Sequence, residues 1–177
     1  MTRRGAALFV LLAMAAACGG SSPLAPAVRE PVTLSTGRYI LRIFNAPQLK
    51  TVDGFTTSVM LCISVGRVSG SDSISVPVDV TRDGEDWVAG LATAGTLELR
   101  FRETAGALAG SLRGEAETVG LRLLVRAEDA DAQGPAAVTG LRDANGIGGQ
   151  VHGEVLFSST TGGYQSCSTN AWSLVRQ

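Results

Sequence analysis

From Gly37 onward, apolar side chains recur at every second position, and a β-strand is the regular conformation that turns such a pattern into one buried and one wet face. Tyr39, Leu41 and Ile43 alternate with Arg38, Ile40 and Arg42. Ile74, Val76, Val78 and Val80 alternate with Ser73, Ser75, Pro77, Asp79 and Thr81, and Leu97, Leu99 and Phe101 with Glu98, Arg100 and Arg102. A further run sets Val59, Leu61, Ile63 and Val65 against Met60, Cys62 and Ser64, which predicts the first set as its buried face. Ile, Val and Thr suit the pleated surface, and no sustained i, i+3, i+4 pattern competes. The chain reads as all-β.

The punctuation between the runs decides how the strands join. Asp83-Gly84, Thr104-Ala105-Gly106 and Asn145-Gly146 are short turn signals between apolar runs, and turns that short connect antiparallel neighbours. The expected strands are 37–45, 56–68, 73–81, 85–91, 96–103, 107–116, 120–126, 136–142, 147–158 and 169–176, with Leu121–Gln133 open to ending in a helical turn. Such a meander closes into a small up-and-down β-barrel or folds as a two-sheet β-sandwich; closure removes the edges that a sandwich must manage. Pro77 lacks a ladder donor and belongs at an edge, a strand end or a bulge. Gly110, Gly114, Gly120, Gly140, Gly149 and Gly153 mark bulges or close backbone approach within strands. This layout resembles the calycin group of lipocalin-like and avidin-like barrels, with Gly37-Arg38-Tyr39 similar to the Gly-x-Trp that opens lipocalin barrels, a tyrosine standing for the tryptophan. The resemblance concerns layout and transfers no functional residue.

Before the domain comes MTRRGAALFVLLAMAAAC. Arg3 and Arg4 form a charged n-region, Ala6 to Ala17 an apolar core and Ala15-Ala16-Ala17 a cleavage site, the plan of a secretory signal at residues 1–17. Its apolar run is too short to cross a hydrocarbon core of about 30 Å. A signal ending Ala-Ala-Cys resembles the lipobox of bacterial lipoproteins, with Ala15 where leucine is usual. That resemblance implies cleavage before Cys18, a diacylglycerol on its thiol and an acylated new amino group. Arg3-Arg4 also resembles a twin-arginine signal, from which Gly5 and Ala6 depart. Residues 18–31 then form a Gly/Ser/Pro tether reaching on the order of 40 Å, and residues 32–177 a single domain. By the same resemblance Gly19, in place of aspartate, favours the outer over the inner membrane.

Once Arg3 and Arg4 leave with the signal, 13 of the 15 basic residues remain against 16 acidic ones, a formal charge of −3. That balance excludes a nucleic-acid footprint and a polybasic membrane patch. With Cys18 lipidated, Cys62 and Cys167 remain in an oxidising compartment and are expected to pair. In a barrel the last strand returns beside the first, so this bridge would latch the closure seam. The other reading, free thiols or metal ligands, has only His152 to complete a site, and no metal is expected.

His152 sits on the opposite strand face from Val151 and Val155, and no serine lies in a Gly-x-Ser-x-Gly elbow. Asp83, Glu85 and Asp86, and separately Glu128, Asp129 and Asp131, are acidic loop clusters that could hold calcium weakly but fit solvated turns better. Glu98, Arg100 and Arg102 are expected to pair across strands with Arg113, Glu115 and Glu117. Tyr39, Trp87, Phe101 and Trp172 lie on apolar phases and either fill the core or line a cavity. The inward phases supply Leu and Val and no polar group to orient a ligand. The reading is a lipid-anchored envelope domain, held in the membrane by Cys18, facing the periplasm or the cell surface, with a structural or interaction role toward an envelope protein. It needs no cofactor and is not an enzyme. Lipocalin-like binding of a small apolar ligand is the alternative.

Overall fold

A computed structural model describes residues 30–46, 48–52, 55–59, 62–66, 73–93, 95–127, 134–159, 162–167 and 169–177. The expected signal at residues 1–17, Cys18 and most of the expected tether at residues 18–31 lie outside these residues, as do Glu128, Asp129 and Asp131. The described residues form strands and no helix: β1 (Gly37–Asn45), β2 (Gln48–Val52), β3 (Phe55–Val59), β4 (Cys62–Val65), β5 (Ser73–Asp83), β6 (Asp86–Leu91), β7 (Glu98–Thr104), β8 (Ala107–Thr118), β9 (Leu121–Arg126), β10 (Ala136–Asp143), β11 (Gly146–His152), β12 (Glu154–Ser159), β13 (Tyr164–Cys167) and β14 (Asn170–Arg176).

Registers reduce these segments to an eight-stranded meander. β8 pairs with β10 through Leu112 and with β9 from Gly114 onward, so β9 and β10 run in line along it. β11 and β12 likewise continue one another, as do β13 and β14, and β4 continues β1 after the β2–β3 hairpin interposed within residues 46–61. Every neighbouring pair is antiparallel, and β14 returns to pair with β1. The closed barrel contains β1, β5, β6, β7, β8, β10, β11 and β14. Closure, not a sandwich, is the outcome, and it leaves no edge within the barrel.

The long strands overshoot the barrel at one end. There the second half of β8, together with β9, β12, β13 and β4, forms an overhanging sheet. Gly114 is where β8 parts from β7. Its φ of +98° is open to glycine, and a Cβ there would lie 2.2 Å from the Thr96 carbonyl oxygen. The amides of Thr96 and Leu97 both donate to the Glu115 carbonyl, the two-against-one pattern of a bulge that bends a strand away from its neighbour. The opposite end carries the tight turns at Gly84-Glu85, Ala105-Gly106 and Ala144-Asn145.

Alternation holds as expected on β1, β5 and β7, whose inward residues join one contiguous core with Leu112, Leu123, Val138, Val155, Phe157 and Trp172. Pro77 fits too. Its carbonyl accepts from Ala92, so its donorless nitrogen faces the side where the β5–β6 ladder ends at Val78↔Leu91. The single strand expected over 56–68 is divided into β3 and β4, and its phase is inverted on β4. Ile63 and Val65 are 70% and 51% exposed, because Cys62 must share the inner face with Cys167. The stretch 121–133 is strand as far as Arg126; residues 128–133 lie outside the described region.

Candidate functional site

The turn end of the barrel is sealed by the segment through which the chain enters the fold. Val32 donates its amide to Asp143 O at 2.9 Å, and its carbonyl accepts from Arg142 Nη1 at 3.0 Å. Arg142 also donates through Nε to Glu103 Oε1 at 2.8 Å, and this carboxylate raises the guanidinium above its ordinary pKa. Tyr39 Oη donates to Ser35 O at 3.0 Å, and Leu34 packs against the core beneath. Arg142→Ala is expected to free this strap, raising amide exchange over residues 32–35 while β1 and β14 stay protected. Unchanged exchange there would show that Leu34 alone holds it.

Inside, Tyr39, Phe101 and Trp172 are buried, as core positions should be. Trp172 faces Gly149 across β14–β11, and Gly149 faces Gly140 across β11–β10. The missing side chain of Gly140 makes room for the indole, whose Nε1 donates to Thr139 O at 3.2 Å and whose ring centroid lies 5.6 Å from that of Phe101. Trp87, opposite Phe101 in register, packs against the same core and is half-buried at the turn-end rim, with the Arg82 guanidinium 4.5 Å from its ring centroid.

At the far end the disulfide joins Cys62 of β4 to Cys167 of β13, directly opposite in register. Beside it lies a feature that the alternation pattern missed. Asn45 and Asn170 are register partners on the closure seam, on the inner face shared with Ile43 and Trp172, and are 8% and 2% exposed. They overturn the expectation that no buried polar group is available. Asn170 Nδ2 donates to Cys167 O at 2.9 Å, whereas Asn170 Oδ1 and both polar atoms of the Asn45 side chain have no protein partner.

The outer surface answers the remaining candidates. Asp83, Glu85 and Asp86 are taken up by arginines: Arg100 bridges Asp83 and Asp86, and Arg102 bridges Glu85 and Asp86. The Arg102 bond holds the Asp86 carboxyl below its ordinary pKa, assisted by Arg100. Those carboxylates are engaged and not arranged for calcium. Glu98 pairs with Arg113 as expected, but Glu115 reaches Arg122 on β9 instead. His152 Nε2 lies 2.8 Å from Thr139 Oγ1 on the exposed face. A shallow hollow of about 610 Å3 lies on the outer wall over Leu141, Gly148, Gly149 and Phe44, with Asp143 as its ionisable group. A second, of about 380 Å3, is lined by Arg113 and Arg126, each engaged by a glutamate. Fold and site together define a closed eight-stranded antiparallel barrel with an overhanging sheet. No protein-family model and no curated protein sequence matches the chain.

Proposed function

We propose that the chain is a lipid-anchored bacterial cell-envelope protein whose barrel has a non-enzymatic structural or interaction role. One observation carries the second half of this reading. The inward apolar side chains of the barrel form one contiguous core, while the overhanging sheet turns apolar ones outward. Register sets Leu124, Leu156, Ser166 and Ile63 in one outer row and Tyr164 beside Val65 in the next. Leu124, Tyr164, Ile63 and Val65 are all exposed. Neighbouring apolar side chains on a wet face are what a protein partner covers. The lipobox-like ending at Cys18 supports the anchor, and the entry of the chain at the turn end supports an orientation. With the tether attached there, the overhanging sheet stands on the side away from the membrane. The eight-stranded meander is in keeping with a calycin-like barrel, and Gly19, by the lipobox resemblance, favours an outer-membrane address over an inner-membrane one.

Mass spectrometry of the protein extracted from its native membrane tests this reading. The expected chain begins at Cys18 and carries acyl mass on it, and Cys18→Ser moves the protein to the soluble fraction. A membrane-bound chain without acyl mass, or a Cys18→Ser variant that stays with the membrane, would overturn the anchor. The apolar-ligand alternative draws support from one place alone, the interior around Asn45 and Asn170.

A further inference from the structure

We propose that the Asn45–Asn170 pair is the polar floor of a small-molecule site at the far end of the barrel, taking an uncharged ligand whose end bears both a hydrogen-bond donor and an acceptor, a carboxamide or a hydroxyl. Two carboxamides side by side on a barrel's inner face are an expense that packing alone does not explain. A buried polar group left unpaired forfeits the hydrogen bonds it made to water, and three such atoms occur here. Leucine at both positions would continue the apolar core at no such cost. The pair also has a direction. Asn170 Nδ2 is tied back to Cys167 O, which leaves Asn170 Oδ1, Asn45 Oδ1 and Asn45 Nδ2 to the interior. Two acceptors and one amide donor are complementary to a group that donates and accepts at once.

The surroundings narrow the ligand further. Ile43 and Trp172 lie one row toward the turn end, Val151 stands opposite Asn170, and the Cys62–Cys167 bridge lies on the overhang side. Among the described residues the interior holds no buried ionisable side chain except the phenol of Tyr39, which is occupied by Ser35. A charged ligand would therefore lie unpaired in an apolar surround, at a prohibitive desolvation cost. The remainder of the ligand must be small and apolar to share space with Val151, Ile43 and the disulfide. Entry is from the far end, because the strap of residues 32–35 with Arg142 and Glu103 seals the other. The backbone seam is paired at Ala46–Thr169 and again at Cys62–Cys167, and the hairpin-bearing insertion leaves it between those points.

This site lies inside the barrel and is independent of the anchor and of the outer apolar rows. The test uses the full chain in detergent, titrated with propanamide and, in parallel, with propanoate of the same shape but charged. The readouts are the side-chain amide resonances of Asn45 and Asn170 and the indole N–H resonance of Trp172. Propanamide is expected to move all three saturably and propanoate to move none. In the double variant Asn45→Leu/Asn170→Leu, the indole is expected to stop responding while the melting temperature holds or rises. Resonances that do not move, or drift without saturating, would show that the pair is satisfied by water only and would overturn the proposal. An indole that responds equally in the double variant would overturn it as well. Should that variant fail to fold, the contrast between propanamide and propanoate on the unaltered chain decides alone.

Discussion

Replacing Cys62 and Cys167 together by serine is expected to lower the melting temperature by about 10 °C, and to do so in two stages. The bridge spans a sequence separation of 105 residues. Closing a loop of that size removes about 4.7 kcal/mol of unfolded-chain entropy in the simplest treatment, and native disulfides return about 2–4 kcal/mol of it. For a domain of this size each kcal/mol moves the midpoint by roughly 2–4 °C. The two stages follow from where the bridge sits. β4 pairs with β13 over Cys62–Val65 and with no other described strand, and its outward Ile63 and Val65 bury little. Without the covalent link that short ladder opens first, whereas β1 keeps both β5 and β14 as partners. Hydrogen exchange in the serine variant should therefore rise at residues 62–65 well below the temperature at which β1, β5 and β14 lose protection. Reduction of the unaltered protein should reproduce this. An unchanged midpoint with unchanged protection at β4 would mean that the seam is held by packing and that the latch is dispensable.

The sequence made some of this legible and hid the rest for physical reasons. β1, β5 and β7 each have one face against the core and the other in water, so their alternation shows directly which residues turn inward. The short turns appeared because a two-residue connection demands unusual backbone angles: Gly84 at φ +61°, Gly106 at +84°, and Ala105 at +50° as the non-glycine exception. The register breaks left no comparable mark. A strand interrupted by an inserted hairpin, as β1 and β4 are, looks like two unrelated strands until pairing aligns them. Hydrophobicity alone gives the wrong phase for β4, because the covalent bond from Cys62 to Cys167 sets which face turns inward. The Asn pair was hidden more deeply. Asparagine at the end of a strand normally signals a turn, and only the register Asn45↔Asn170 shows that both face inward.

Trp172→Ala is expected to cost about 4 kcal/mol and Gly149→Ala nearly as much, and combining them is not expected to recover any of the loss. The indole is among the largest fully buried side chains, and truncating a buried tryptophan costs about 3–5 kcal/mol in transfer and cavity terms. Here the cavity would open onto two glycines that cannot fill it. Trp172→Phe should fall between, keeping contact with Phe101 while leaving the Thr139 carbonyl without its 3.2 Å donor, a loss of about 1–2 kcal/mol. Gly149 fails for a different reason. A Cβ there would lie 1.9 Å from Thr139 O and 2.3 Å from the Gly140 Cα, backbone atoms of the neighbouring strand that no rotamer change can move. If the glycine existed only to seat the indole, removing the indole would make alanine tolerable. Because the obstruction is the β10 backbone, the double variant should be less stable than either single one in urea denaturation. A double variant as stable as Trp172→Ala alone would show instead that β10 and β11 can move apart. In that case the glycine pair would serve only to seat the ring, and not to bring the two strands into close approach.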